Sequence, residues 1–302
     1  MKIFKNTSIS QIYKNSVIAV GNFDGVHIGH KKVLKEAYKK AKKNKKRFGL
    51  LTFEPVPVMF FNKKILNHRL DLISQKILNL KKEKLDFVII QNFSKKFSKL
   101  SYQNFIYKVL YKKIRCKFLF VSRNFKFGKK RKGDVNKLKK YEKKYFYKTI
   151  ITTPLTKNKK TVSSTIIRNL LKNGEIKKAN TYLGRNWEVV GKVIKGSQRG
   201  RKIGFPTCNI LMKNYIIPKF GVYAVDVKIN KVLNKGIANI GCRPTFNGKK
   251  VLLEVNIFGI KKNLYNKTIN VIFNKFIRKE KKFKDLLELK NQIKKDIIKA
   301  KK

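Results

Sequence analysis

The hydrophobic pattern of this chain changes period once, and that change bounds what it can fold into. From residue 17 to residue 154, short continuous apolar runs alternate with helix-period segments. The order is VIAVG at 17–21, a helix over about 30–44, FGLLTF at 48–53, a helix near 71–83, DFVIIQ at 86–91, a helix near 101–113, FLFVS at 118–122 and YKTIITTP at 147–154. Strands that read as apolar on both faces and are separated by helices predict an α/β domain with a doubly wound parallel sheet. In the first helix Val33, Leu34, Ala37, Tyr38 and Ala41 form one apolar stripe among lysines, as packing on a sheet requires. After about residue 184 the helices stop. WEVVGKVIKG, GVYAVDVKIN, KGIANIG, VLLEVNIFG and TINVIFNKFIR are β-rich runs with Gly- and Asn-containing connections, which predict an antiparallel barrel or sandwich. A final helix, FKDLLELKNQIKKDIIKAKK, ends in lysines that suit the negative end of its dipole. The expected domains are 1–184 and 185–302.

With 302 residues, 42% of them hydrophobic and 12% aromatic, the chain can bury a substantial core and is globular. MKIFKNTSISQIYKNS lacks the apolar core of a signal peptide, and no stretch approaches the roughly 18 apolar residues of a membrane span. A cytoplasmic protein with no membrane partner is expected. Cys116, Cys208 and Cys242 are odd in number, far apart and in no metal-ligand spacing, which argues against a disulfide framework and against a zinc site. The formal net charge of +60 suggests a polyanion such as RNA. The lysines, however, are spread through almost every segment beside abundant Asn and Ile, as drift toward A/T-rich codons would leave them. Drift is the preferred cause, and no specific nucleic-acid partner is expected. Such a charge repels itself, so marginal stability and a need for counterions are also expected. The sequence is compatible with an oligomer without requiring one.

GNFDGVHIGH, residues 21–30, spends two of the chain's three histidines on one turn. A buried strand that breaks at a glycine turn and leads into a helix directs backbone N–H groups and the positive helix end at one spot, which favours phosphate. His27 and His30, spaced i, i+3, can face that spot together and stabilise charge as pyrophosphate leaves a nucleotide. A bare pair at this spacing is more often packing. Gly21, Gly25 and Gly29 in the same turn tip the reading toward a ligand, because bare backbone permits close approach.

His-x-Gly-His after a first strand resembles the signature of the nucleotidyltransferase superfamily, whose N-terminal fold is Rossmann-like. GNFDGVHIGH, LTFEPVPVMFF, NFKFGKKRKGD and VSSTIIRNLL together resemble, in order and spacing, the N-terminal half of the bifunctional bacterial riboflavin kinase/FAD synthetase family. GRKIGFPTCNI, GVYAV, GIANIGCRPTF and LLEVNIF resemble its kinase half, so the likeness covers nearly the whole chain. The resemblance implies that the N-terminal domain adenylylates FMN, binding ATP at Gly21, Phe23, Asp24, His27 and His30. Ser163, Ser164, Thr165 and Arg168 would lie on the phosphates, and a guanidinium fork at Arg168 suits departing pyrophosphate. Alone, Arg168 would be read as an exposed charge in the first turn of a helix. Asn124 matches a position near nucleotide or flavin.

The same resemblance implies a C-terminal riboflavin kinase of mainly antiparallel β-barrel fold. Thr207 and Asn209 would contact Mg²⁺ and ATP, and Glu254 would be the general base toward the ribityl 5′-hydroxyl. Periodicity alone makes Glu254 a solvent-facing strand residue. Arg243, with Pro244 and Thr245, matches the flavin side, although turn chemistry also explains that loop. Three positions depart from the family pattern: Val56 replaces a usual histidine, Cys208 a small residue and Asn256 a frequent histidine. The implied reactants are riboflavin, FMN and ATP, with FMN and FAD as products. The rivals are a nucleotidyltransferase for another phosphate or lipid headgroup, and a basic RNA-binding protein on an enzyme fold.

Overall fold

A computed structural model describes residues 1–157, 160–196, 198–245, 248–260 and 262–302. Two compact units emerge. The first is Met1–Ile65 with Ile73–Ser163, and the second is Leu66–Leu72 with Ser164–Lys302.

The first unit is built on six strands: β1 (Lys2–Phe4), β2 (Val17–Val20), β3 (Phe48–Glu54), β4 (Phe87–Asn92), β5 (Phe118–Ser122) and β6 (Lys148–Thr152). They pair entirely in parallel in the order β1-β4-β3-β2-β5-β6. The sheet runs outward from β2 in both directions, so the strand order reverses between β2 and β5. A crevice opens at such a reversal beyond the carboxyl ends of the strands. Val17–Val20 is wholly buried because helices cover both faces. Helix α1 (Ile28–Lys43) packs Leu34, Ala37 and Ala41 on one face with Val17, Ala19, Phe48 and Leu50, and Val33 and Tyr38 flank that core. Lys40, Lys42 and Lys43 occupy its last turn, where positive charge suits the dipole.

One helix departs from expectation. The segment near 101–113 begins as a short α-helix, Tyr102–Asn104, and continues through Phe105–Ile114 as a π-helix. Its buried residues, Phe105, Ile106, Val109, Leu110 and Ile114, recur more widely than an α-helical stripe, and i→i+5 winding keeps them on one side.

The first unit also carries a short antiparallel pair, β7 (Thr156–Lys157) and β8 (Lys160–Thr161). In the second unit β9 (Glu188–Lys192), β10 (Cys208–Leu211), β11 (Gly221–Ile229), β12 (Val232–Thr245), β13 (Gly248–Ile257) and β14 (Thr268–Arg278) form an antiparallel sheet in the order β10-β13-β12-β11-β14-β9. Register shifts between β11 and β14 add curl, and a bridge from Ile194 to Asn209 draws the two edges together into a nearly closed barrel. Trp187, Tyr215, Tyr223 and Phe273 fill its core. The reading that helices cease after 184 misses one turn, Arg199–Lys202. Phe205 N–H returns to the Gly200 carbonyl there at 2.8 Å, and a Cβ on Gly200 would lie 2.4 Å from the Phe205 carbonyl oxygen. That loop closes only around glycine.

The segment Leu66–Leu72 belongs to the barrel unit although its sequence neighbours do not. Trp187 Nε1–H donates to the Leu70 carbonyl at 2.9 Å, and Ile216 N–H donates to the Arg69 carbonyl at 2.8 Å. Arg185 forks onto both oxygens of the fully buried Asp71 carboxylate at 2.6 and 2.7 Å.

Candidate functional site

In the first unit the chain leaves β2 at Gly21 and enters α1 at Ile28. Between them Phe23, Gly25 and Val26 all take positive φ, at 47°, 79° and 37°, coiling the turn tightly enough to bury Asp24 and His27. Positive φ is sterically unfavourable for a β-branched residue such as Val26, and the surrounding core holds it there. His27 is the N-cap of α1, its Nδ1 accepting the His30 N–H at 3.2 Å. A neutral imidazole that accepts at Nδ1 carries its proton on Nε2, so His27 is a donor from that atom. The two imidazoles stack with centroids 3.6 Å apart, and the Phe23 ring lies 4.8 Å from His30. A Cβ on Gly29 would sit 3.2 Å from the His27 ring and 3.3 Å from the Val162 carbonyl oxygen. Glycine there lets the segment leading to Ser163 lie against the start of α1.

The first unit therefore gathers Gly21, Phe23, Asp24, His27, His30 and Ser163 about the amino end of α1. Asn124 is exposed in the turn after β5, the strand that pairs with β2, and lies on the same carboxyl edge of the sheet. Val56, where the family pattern usually has histidine, is buried and precedes the helix Pro57–Phe61. Ser164, Thr165 and Arg168 fall in the second unit, on the helix Ser164–Lys172, where Arg168 Nε donates to the His68 carbonyl at 2.8 Å.

The barrel unit holds a cavity of about 460 Å³. Thr207, Asn209 and Glu254 all line it, and Asn209 lies directly opposite Glu254 in the β10–β13 register. Its lining is mainly apolar and includes Phe205 and Ile237 together with Leu289 and Ile293 of the helix Leu286–Lys301. Asn256, the departure from histidine, donates Nδ2–H to the Pro206 carbonyl at 2.7 Å and ties FPTCN to β13. Cys208 is partly buried, and burial pushes its thiol above the ordinary range. Arg243 has its backbone in β12, and its side chain lies outside the described residues, as do those of Pro244 and Thr245.

Several cavity residues carry no sequence signal of their own. Glu280 lines the same space as Glu254 and accepts from Asn239 Nδ2 at 3.3 Å. Asp296, buried on the terminal helix, accepts from Arg278 Nε and from a terminal guanidinium nitrogen, both at 2.8 Å, which docks that helix onto β14. The i, i+3, i+7 spacing of Leu286, Leu289 and Ile293 was the available clue to that wall.

Among the described residues, no cluster of three His, Cys, Asp or Glu side chains is arranged to hold a metal ion. Two neutral side-chain oxygens beside one carboxylate instead suit a hard, hydrated cation that arrives on nucleotide phosphates. Also among the described residues, no helix is long and apolar enough to cross a membrane.

A doubly wound α/β unit with a phosphate-type turn, joined to a barrel with polar groups converging on an apolar cavity, defines the class as a two-domain nucleotide-dependent transferase. The family model for FAD synthetase matches residues 9–166, and the model for riboflavin kinase matches residues 183–302. The bifunctional riboflavin kinase/FMN adenylyltransferase of Buchnera aphidicola subsp. Schizaphis graminum (strain Sg) is 42% identical over 304 residues, covering 98% of this chain and 97% of that protein. The protein of the same description from Escherichia coli (strain K12) is 36% identical over 285 residues, covering 94% and 91%. A solved structure described as a macrolide-efflux protein from Streptococcus pneumoniae superposes with a TM-score of 0.88 at 29% identity, covering 99% of this chain and 98% of that one. The chain belongs to the bifunctional riboflavin kinase/FMN adenylyltransferase family, with both of its catalytic domains present.

Proposed function

We propose that this protein makes FAD in two ATP-dependent steps, residues 185–302 carrying the kinase and residues 1–184 the adenylyl transfer. In the first step the ribityl 5′-hydroxyl of riboflavin attacks the γ-phosphorus of ATP, giving FMN and ADP. Glu254 accepts the hydroxyl proton, Thr207 and Asn209 hold phosphate oxygens, and the apolar walls at Phe205, Ile237 and Leu289 exclude water from the acceptor. Mg²⁺ held on the Thr207 and Asn209 oxygens would supply neutralisation of phosphate charge. The observation that carries this reading is the facing pair Asn209 and Glu254 on the wall of one cavity.

In the second step an FMN phosphate oxygen attacks the α-phosphorus of a second ATP, giving FAD and pyrophosphate. Gly21, Phe23 and Asp24 bracket the nucleotide. His27, through Nε2–H, and His30 donate to phosphate oxygens as negative charge builds, and Ser163, Ser164, Thr165 and Arg168 receive the departing pyrophosphate. Asn124 and Arg243 are assigned to the flavin side of their respective sites. ATP as co-substrate and free cysteines support a cytoplasmic location, and the chemistry calls for no nucleic-acid partner.

A chromatographic product assay with riboflavin, ATP and Mg²⁺ tests both sites. The parent should form FMN and FAD. Glu254→Gln should form FMN about 10²- to 10⁴-fold more slowly yet convert supplied FMN to FAD as the parent does, and His30→Ala should stall at FMN. A folded parent that forms neither product overturns the reading.

A further inference from the structure

Lysines coat this chain, yet among the described residues Lys76 is the one lysine or arginine in the buried set, at 2% exposure. It lies on the helix Ile73–Lys81, whose buried positions are Gln75, Lys76 and Leu80. Leu80, one turn further on, joins the core that also holds Leu34 and Ala37 of α1. Drift toward lysine fills solvated surface. It does not account for an ammonium in a protein interior, where desolvation is costly unless the group is hydrogen-bonded.

The Lys76 ammonium donates to the carbonyl of Asn22 at 2.9 Å, and the buried Thr52 hydroxyl of β3 donates to the same oxygen at 3.0 Å. Asn22 is the second residue of the loop from β2 to α1. Just before it, the Gly21 N–H is bonded to the Leu51 carbonyl of β3 at 3.1 Å. Just after it, Phe23 enters positive φ, Val26 N–H closes back on the Phe23 carbonyl at 3.3 Å, and His27 caps α1. Donors from two different elements therefore converge on one peptide oxygen where the chain leaves the sheet. Rotation of the Asn22–Phe23 peptide would break both bonds.

We propose that Lys76 is a positioning residue for adenylyl transfer. With Thr52 it locks the Asn22 peptide, and so the turn Phe23–His27, in the orientation that meets the nucleotide. A turn held before ATP arrives needs no reorganisation when charge develops, so the benefit falls on kcat more than on KM. The inference rests on the adenylyl-transfer reading of this loop.

The test uses the full chain and measures both steps in each preparation. Lys76→Met should lower kcat for FAD formation from supplied FMN by about 10- to 100-fold, with KM for ATP little changed. FMN formation from riboflavin should match the parent, and the melting curve of the first unit should stay above the assay temperature. Lys76→Gln, whose amide can donate to the same carbonyl, should recover part of the loss, and Thr52→Val should show a smaller loss confined to the same step. Parental FAD formation by Lys76→Met, a glutamine variant no better than the methionine one, or a loss that tracks melting of the first unit would each overturn the proposal. A parent that forms FMN but no FAD would overturn the adenylyl-transfer reading itself, and this proposal with it.

Discussion

Asn209 and Glu254 face each other across β10 and β13, and the Asn209 carbonyl also accepts the Ile194 N–H that closes the barrel. The backbone beneath this pair is thus fixed from both sides, so side-chain changes there alter chemistry before they alter scaffold. Glu254→Asp withdraws the carboxylate without removing it and should lower FMN formation by about 10²-fold, while Glu254→Gln should lose about 10²- to 10⁴-fold. Steady-state kinetics of the kinase step, with FAD formation from supplied FMN as internal control, checks both values.

The Asp71–Arg185 fork joins a fully buried carboxylate to a guanidinium on the barrel unit. Asp71→Ala removes the carboxylate from a buried ion pair whose two contacts are 2.6 and 2.7 Å, and should cost about 3–5 kcal/mol of barrel stability. Denaturant unfolding followed by Trp187 fluorescence reads this directly, since that indole bonds to the adjacent Leu70 carbonyl.

Burial pushes the Glu142 carboxyl upward, but the Thr149 N–H at 2.7 Å and the Lys148 ammonium at 3.1 Å outweigh it and hold the group below its ordinary value. A lowered folded pKa means stability that is fully present above the ordinary carboxylate range and lost as the pH falls through the folded value. Glu142→Gln should therefore melt earlier than the parent at pH 7, and the two should converge in strong acid. Thermal melts across that range provide the check.

The three cysteines should divide by burial. Cys116 is buried and its thiol is pushed up to about 12, whereas Cys242 is exposed and lines a small cavity with Glu254 and Glu280. Thiolate is the reactive form, so iodoacetamide at neutral pH should modify Cys242 first and leave Cys116 untouched. Riboflavin with ATP should slow the Cys242 reaction, as peptide mass mapping over time would reveal.

Legibility in the sequence followed physical range. TINVIFNKFIR is β14 residue for residue, and FLFVS is β5, because a strand's period and its flanking breakers are local properties. The gathering of His27, His30 and Gly29 at one helix start was legible for the same reason. The π-helical winding at Phe105–Ile114 was not, since a few residues of apolar spacing do not separate two helical periods. Asp296 meeting Arg278, and Lys76 meeting Asn22, depend on partners 18 and 54 residues away. In a sequence carrying 76 basic residues, nothing local distinguishes Lys76, the one that is buried among the described residues.

The membership of Leu66–Leu72 in the barrel unit also bears on how such a gene can be divided. A single cut after Gly184 would give a kinase fragment with Arg185 stripped of Asp71 and Trp187 stripped of the Leu70 carbonyl, and the discarded piece would carry the missing strap. Gene fission into two independent enzymes therefore needs either a duplicated copy of that strap or a rebuilt wall in its place, a standing obstacle to separating what one chain now keeps together.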